Sequence, residues 1–252
     1  MKKISFDFKN RTAIVTGGAQ GFGFDISKRL LESGASVIIW DNDPKATEKA
    51  IKDLKNPNLS SHVVDVSNYE EVDKTVNEIT KNSNIDILIN NAGMQFRSPL
   101  EDFPPEKFEQ ILKTNVSSVF NVSQIVAKHM IKRGEGKIIN IASVQTSLAR
   151  PGIAPYTATK GAVGNITKGM ATDWAKFGIQ CNAIAPGYFD TPLNAALVSD
   201  NEFTAWLKKR TPAGRWGEVH ELVGASIFLS SAASNFVNGH TLFVDGGITA
   251  SL

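Results

Sequence analysis

The sequence contains a single cysteine, Cys181, in 252 residues, which excludes an intramolecular disulfide framework. Cys181 lies in the apolar run from Ile179 to Ala185, where a buried structural thiol is expected. No apolar run reaches the ~18 residues that a bilayer-spanning helix needs. The segment Met1 to Asp7 has two lysines but no apolar stretch behind them, so a secretory leader is not expected and the chain reads as cytoplasmic. Neither sign of charge dominates: 27 Lys and Arg against 25 Asp and Glu leave a formal +2, too near balance for a polyanionic partner. The basic run Lys208-Lys209-Arg210 has no wider basic stripe or nucleic-acid module around it and reads as a solvated helix face. The four histidines, His62, His129, His220 and His240, show no ligand spacing, and no metal centre is expected.

What the chain does have is alternation. Short apolar runs (Thr12–Thr16, Val37–Trp40, His62–Val66, Ile85–Asn90, Lys137–Ile141, Ile179–Ala185, Thr241–Val244) alternate with helix-like segments. The helices expected between them cover 21–33, 44–54, 69–80, 106–130, 155–177 and 219–231. Runs that are apolar throughout suit parallel strands buried on both faces. The β-α-β-α order predicts one α/β domain, a doubly wound, Rossmann-like parallel sheet of seven strands spanning 1–252. The rhythm breaks once, at 188–217, an insertion holding Pro192 and Pro212 that reads as a substrate lid rather than a second domain.

The first strand runs into Thr16-Gly17-Gly18-Ala19-Gln20-Gly21-Phe22-Gly23 and then a helix. Glycines there allow a tight turn and bring backbone N–H groups to a pyrophosphate at the helix N-terminus. The second strand ends at Asp41. A carboxylate there accepts hydrogen bonds from the ribose hydroxyls of NAD and repels the 2′-phosphate of NADP. The alternative is an ordinary turn aspartate opening the next helix, with Asp43 as its N-cap. No arginine or lysine sits in the glycine loop, where Gln20 stands, so NAD is expected over NADP.

Tyr156 and Lys160 are four residues apart and share one helix face. An ammonium near a phenol favours the phenolate and should bring its pKa down from ~10 toward a useful range for a general base.

Together these residues resemble the short-chain dehydrogenase/reductase family over essentially the whole chain. The resemblance rests on Thr16-Gly17-x-x-x-Gly21-x-Gly23, Asn90-Asn91-Ala92-Gly93, Asn115, Ser143, Tyr156-x-x-x-Lys160 and Pro186-Gly187. It implies a catalytic set of Asn115, Ser143, Tyr156 and Lys160. Tyr156 acts as general acid/base, Ser143 positions the reacting oxygen, and Lys160 tunes the phenol and bonds the nicotinamide ribose. Asn115 holds a water in a proton relay. It further implies that Asp65 and Val66 flank the adenine, that Asn91, Ala92 and Gly93 brace the cofactor, that Thr191 holds the carboxamide, and that the protein is a homotetramer. In isolation Ser143 would be a strand-end turn serine and Asn115 a locally satisfied helix residue.

The second half is similar to the gluconate 5-dehydrogenase subgroup, in Ser143 to Lys160, Thr211 to Gly217, Ser234 to His240 and Val244 to Ile248. The first half departs from it, because that subgroup usually carries a basic residue in the glycine loop and an arginine region after strand two. The resemblance implies hydride transfer between a sugar acid or polyol and the cofactor. Arg97 and Arg150, on loops at the C-terminal strand ends, could grip a carboxylate through paired bonds, although Arg97 could instead pair with Glu101, Asp102 or a neighbouring subunit. Gln95, Gln145 and Asn194 are candidates for sugar hydroxyls. Two rival readings are a 3-oxoacyl thioester reductase, which Asp41 disfavours, and a non-catalytic NAD-binding sensor, which the complete catalytic set disfavours.

Overall fold

The computed structural model describes residues 6–252; residues 1–5, with the lysines of the N-terminal segment, lie outside the described residues. The chain runs β1 (Thr12–Thr16), α1 (Gly21–Glu32), β2 (Ser36–Asp41), α2 (Pro44–Leu54), β3 (Leu59–Val63), α3 (Tyr69–Thr80) and β4 (Ile87–Asn90). It continues with α4 (Pro105–Leu112), α5 (Ser118–Arg133), β5 (Gly136–Ile141), α6 (Ala154–Trp174) and β6 (Ile179–Pro186). The last elements are α7 (Ala195–Val198), α8 (Asn201–Arg210), α9 (Val219–Ser230) and β7 (Thr241–Val244). The strands form one seven-stranded sheet in the order β3-β2-β1-β4-β5-β6-β7, and every pairing is parallel.

Successive strand residues feed two cores. Ile14, Leu88 and Ile138 point to one face, packed with Val76 of α3, Val126 of α5 and Met170 of α6. Val15, Ile89 and Ile139 point to the other, against Ile26 and Leu30 of α1, Ala50 of α2 and Leu222 of α9. A sheet covered on both sides needs apolar residues at every position, which accounts for the unbroken apolar runs. Cys181 is fully buried, and burial pushes its thiol up to about 12, so it is a structural residue as expected.

Two expectations are corrected. The third strand covers Leu59–Val63, three residues earlier than the run His62–Val66. Val64 and Val66 are buried past the end of the strand, Val64 still donating its N–H to the Asp41 carbonyl (3.0 Å). The helix expected over 106–130 is not continuous: Lys113–Ser117 forms a π-helical turn between α4 and α5. Such turns insert a residue into an α-helix and often lie at functional sites.

The two ends of the strands are held differently. Near the C-terminal ends of β4 and β5, the side chain of Asn90 donates to Asn140 (2.8 Å) and Ser123 (2.8 Å), and Asn140 donates to Thr167 (2.9 Å). This chain joins two strands to α5 and α6. At the opposite edge, the buried carboxylate of Asp86 accepts from Arg11 (3.0 Å), Arg133 (2.5 Å) and the backbone N–H of Thr12 (2.8 Å). Glu135 completes the cluster with both arginines. Replacing Asp86 by Ala removes the carboxylate on which β1 and β4 converge and orphans the Thr12 N–H. Asp86→Ala should cost about 3 kcal/mol of stability in urea unfolding at fixed protein concentration; a loss below ~1 kcal/mol would mean that water and Glu135 take over its role.

Candidate active site

The strand order reverses between β1 and β4, and a cavity of about 590 Å³ opens at the C-terminal strand ends there. Its floor at one end is the glycine loop. Gly17 (φ +58°) and Gly21 (φ +52°) hold left-handed backbone that a side chain would strain. A Cβ on Gly17 would lie 2.9 Å from the Ala92 Cα, and one on Gly23 would lie 2.1 Å from the Gly17 carbonyl oxygen. Gly23 thus lets α1 start directly under the loop. A Cβ on Gly21 would meet only Pro192 within 4 Å, on open space. The loop is tied to β4 by the side-chain amide of Asn91, which donates to the carbonyls of Thr16 (3.0 Å) and Gly17 (2.9 Å). Such a cradle fits a dinucleotide: bare backbone at a helix N-terminus with room in front of it.

The N-cap after β2 is Asp43, which accepts from Lys45 N (2.9 Å) and Ala46 N (3.2 Å), while Asp41 makes a turn contact of its own. Asp41 is free of that task and turns toward the loop, accepting from Ala19 N (3.3 Å) and Asp43 N (3.1 Å). Each oxygen keeps a lone pair for a ligand.

The other end of the cavity carries the titratable groups. Tyr156 and Lys160 enter from α6, and Ser143 from the end of β5. Lys160 is 6% exposed, and its Nζ donates to the Ile141 carbonyl (2.7 Å) while lying 5.6 Å from the centre of the Tyr156 ring. Burial lowers its pKa to about 8. The expected depression of the tyrosine does not hold here. Burial raises Tyr156 to about 12, partly opposed by a hydrogen bond to Ser143 and by the charge of Arg97. Desolvation of the phenolate outweighs both of these.

Asn115 sits in the π turn, 1% exposed. Its amide clasps Met94, accepting from the N–H (2.8 Å) and donating to the carbonyl (2.9 Å), and it also donates to Thr159 (3.2 Å). Asn115 is therefore satisfied across the fold rather than within its own helix. Gly93 lies between it and Lys160: a Cβ there would be 3.4 Å from Asn115 Oδ1 and 3.9 Å from Lys160 Nζ.

The cavity is lined by Gly17, Gln20, Gly21, Phe22, Asp41, Asp65, Val66, Asn91, Ala92 and Gly93, then by Ser143, Gln145, Arg150, Tyr156, Lys160, Pro186, Gly187 and Thr191. Of the residues expected from the sequence, Gly23, Arg97 and Asn115 stand behind the lining rather than in it. Arg97 makes no ion pair with Glu101 or Asp102; it donates to Gln95 (3.1 Å), and burial followed by the charge of Arg150 lowers its pKa. Gln95 and Asn194 line the cavity, but Asn194 is spent on the Phe189 carbonyl (3.0 Å). Tyr188 was not anticipated. It lines the cavity beside Arg150 and Gln145, and burial holds it above its ordinary pKa against the charge of Arg150. An aromatic residue directly after Pro186-Gly187, at the end of β6, was the available signal.

The segment 188–217 is folded rather than loose. It holds α7 and α8, with Leu207 fully buried against Val144 and Ile248. No cluster of His, Cys, Asp or Glu able to hold a metal ion occurs among the described residues, and none of their helices is long and apolar enough to cross a membrane.

The family model described as enoyl-(acyl carrier protein) reductase matches residues 17–249, from the glycine loop to the last turn. The chain belongs to the short-chain dehydrogenase/reductase family. It is 54% identical to a gluconate 5-dehydrogenase of Gluconobacter oxydans, with 98% of each chain covered. It is 46% identical to a 5-keto-D-gluconate 5-reductase of Escherichia coli, again over 98% of each. Among solved structures, a gluconate 5-dehydrogenase of Burkholderia cenocepacia in complex with NADP and tartrate superposes with a TM-score of 0.94, at 51% identity and 98% coverage of each chain. Membership makes the protein an NAD(P)-dependent oxidoreductase acting on CH–OH groups.

The buried ammonium gives a pH test. An unfolded lysine keeps its proton up to about 10.5, whereas folded Lys160 releases it above about 8. Between those values the unfolded chain binds more protons, so stability rises with pH. The unfolding free energy of wild type minus Lys160→Met should grow by up to ~1.4 kcal/mol per pH unit between pH 8 and 10. A flat difference would show that the ammonium is not desolvated.

Proposed function

We propose that the protein is an NAD-dependent sugar-acid dehydrogenase, interconverting a secondary alcohol of a gluconate-like aldonate and its ketone. The observation that carries this reading is the pair Arg97 and Arg150. Neither has a carboxylate partner among the described residues, the charge of Arg150 acts on Arg97, and their loops are joined by the Ser98 N–H to Gly152 carbonyl bond (3.2 Å). Two unpartnered guanidinium groups next to a reacting phenol suit a substrate with a carboxylate. The names of the relatives point the same way.

The glycine loop, Asp41, Asp65, Val66, Asn91 and Thr191 would hold the dinucleotide, whose nicotinamide supplies the carbon that takes or returns hydride. Ser143 orients the substrate oxygen and donates to it as negative charge develops. Tyr156 moves the proton, taking it from the alcohol in oxidation and giving it to the ketone oxygen in reduction. With its pKa near 12, the resting phenol is protonated and ready to donate; oxidation needs added positive charge at the site to draw the proton off. Lys160, anchored on Ile141, keeps one such charge at a fixed place. Asn115 fixes the Met94 backbone and, with Gly93, the wall against which Lys160 rests. A water relay from Lys160 past Asn115 remains part of this reading.

We favour NAD over NADP because the charged groups lining the nucleotide end are Asp41 and Asp65, while the lining cations, Arg150 and Lys160, are at the substrate end. The NADP in the Burkholderia structure argues the other way for that relative. We also read the chain as a cytoplasmic homotetramer; Phe108 of α4 and Phe120 of α5 are exposed large apolar side chains that an interface would cover. The segment 188–217 is read as a lid with a firmly seated second half.

Gluconate should be oxidised with a kcat/KM for NAD at least tenfold above that for NADP, and Asp41→Ala should shrink that ratio; a wild-type preference for NADP would overturn the assignment. Tyr156→Phe should lower kcat by ~10²- to 10⁴-fold while leaving the Kd for NADH, followed by fluorescence, within about threefold. Retained turnover would remove Tyr156 from the proton step.

A further inference from the structure

Arg150 has an unusual seat. Its guanidinium carbon lies 5.5 Å from the centre of the Phe203 ring of α8, and its charge acts on the phenol of Tyr188, whose ring packs edge-on against Phe203. No carboxylate pairs with it among the described residues. Phe203 is itself wedged among aromatic rings: Tyr188 at 5.6 Å, Trp206 at 5.2 Å and Trp216 at 6.1 Å between centroids. Trp216 is pinned by its indole N–H to Thr204 Oγ1 (3.2 Å), and α8 is fastened at its end by Arg210, which donates to Ser251 (2.9 Å). The platform is thus a fixed part of α8, not a mobile tip.

Stacking engages the face of a guanidinium and leaves its in-plane N–H fork free for a carboxylate. It also selects one orientation from the many a long side chain could take, so less rotamer freedom is lost when an anion binds. We infer that Phe203 and Tyr188 are positioning residues for substrate specificity: they hold Arg150 flat against α8 so that its fork faces the cavity, and make carboxylate recognition depend on the 188–217 segment. The inference rests on the aldonate reading above and adds the residues that decide selectivity. Neither aromatic residue touches the reacting carbon in this role, so their effect falls on binding rather than on the proton step.

Phe203→Leu keeps apolar bulk and removes the π face, Phe203→Trp keeps a π face, and Tyr188→Phe removes only the hydroxyl. Phe203→Leu should raise the KM for gluconate about tenfold with kcat within twofold, and Tyr188→Phe about threefold. Phe203→Trp should stay near wild type. Equal losses in kcat and KM, or a tryptophan variant as impaired as the leucine one, would overturn the positioning role in favour of a merely structural one. Calorimetry separates this from failure of the aldonate reading. In a Tyr156→Phe background with NAD⁺ present, gluconate should bind, and Phe203→Leu should weaken it by a similar factor. No gluconate binding at all would overturn both readings; binding that Phe203→Leu leaves unchanged would overturn this one alone.

Discussion

The site is organised around a buried positive charge. Lys160 is almost wholly excluded from water and, among the described residues, has no carboxylate partner, its Nζ donating to the Ile141 carbonyl at 2.7 Å. An unpaired ammonium in such a place is costly, and its pKa falls to about 8 as a result. The surrounding fold must therefore offer carbonyl oxygen and no competing acid. The end of β5 offers the Ile141 carbonyl, while the π turn spends Asn115 on Met94 and Thr159. Gly93 lies between Asn115 and Lys160, where a Cβ would come into van der Waals contact with both.

The two edges of the sheet divide labour. The N-terminal edge neutralises its charges internally, with Asp86 and Glu135 satisfying Arg11 and Arg133. That cluster joins the starts of β1, β4 and β5, the strands that flank the switch point. The C-terminal edge leaves charges unpaired. Asp41, Arg97, Arg150 and Lys160 have no opposite charge within ion-pair distance among the described residues. Stability and chemistry are thereby kept about one strand length apart, and a residue can be altered at the reactive edge without dismantling the supporting one.

The central strands could be read from sequence because burial on both faces demands apolar residues without interruption. The edge strand β3 could not be placed as well. It pairs only with β2, its Ser60, Ser61 and His62 are partly polar, and the more apolar Val64 and Val66 lie past its end. The glycine loop and the Tyr156/Lys160 spacing were legible because each is local: one turn, one helix face. The π turn was not, since the helical pattern of 106–130 runs through it and its cause is a tertiary clasp on Met94. The shift of Tyr156 has the opposite sign to that expected from Lys160, because spacing reveals the nearby lysine and not the loss of water around the phenol, and the charge that opposes the shift is that of Arg97. Tyr188 was missed for a similar reason: its role depends on Arg150 and Gln145, more than thirty residues away in sequence.

On the proposed reading, the cavity is electrically polarised along its length. Acids line the end formed by β2 and β3, where Asp41 and Asp65 stand; cations gather at the loops after β4 and β5, with Lys160 between them and the glycine cradle. A ligand pair with a neutral ribose at one end and a carboxylate at the other matches that gradient, and the reversed arrangement would set like charges together at both ends. Lys160 is buried and anchored on Ile141, whereas Arg150 lines the cavity with Arg97 behind it. The arginines can therefore be consumed in binding the anion while Lys160 keeps its field on Tyr156. Separating the binding cations from the catalytic one lets the site hold an acid without losing the charge that its proton transfer requires.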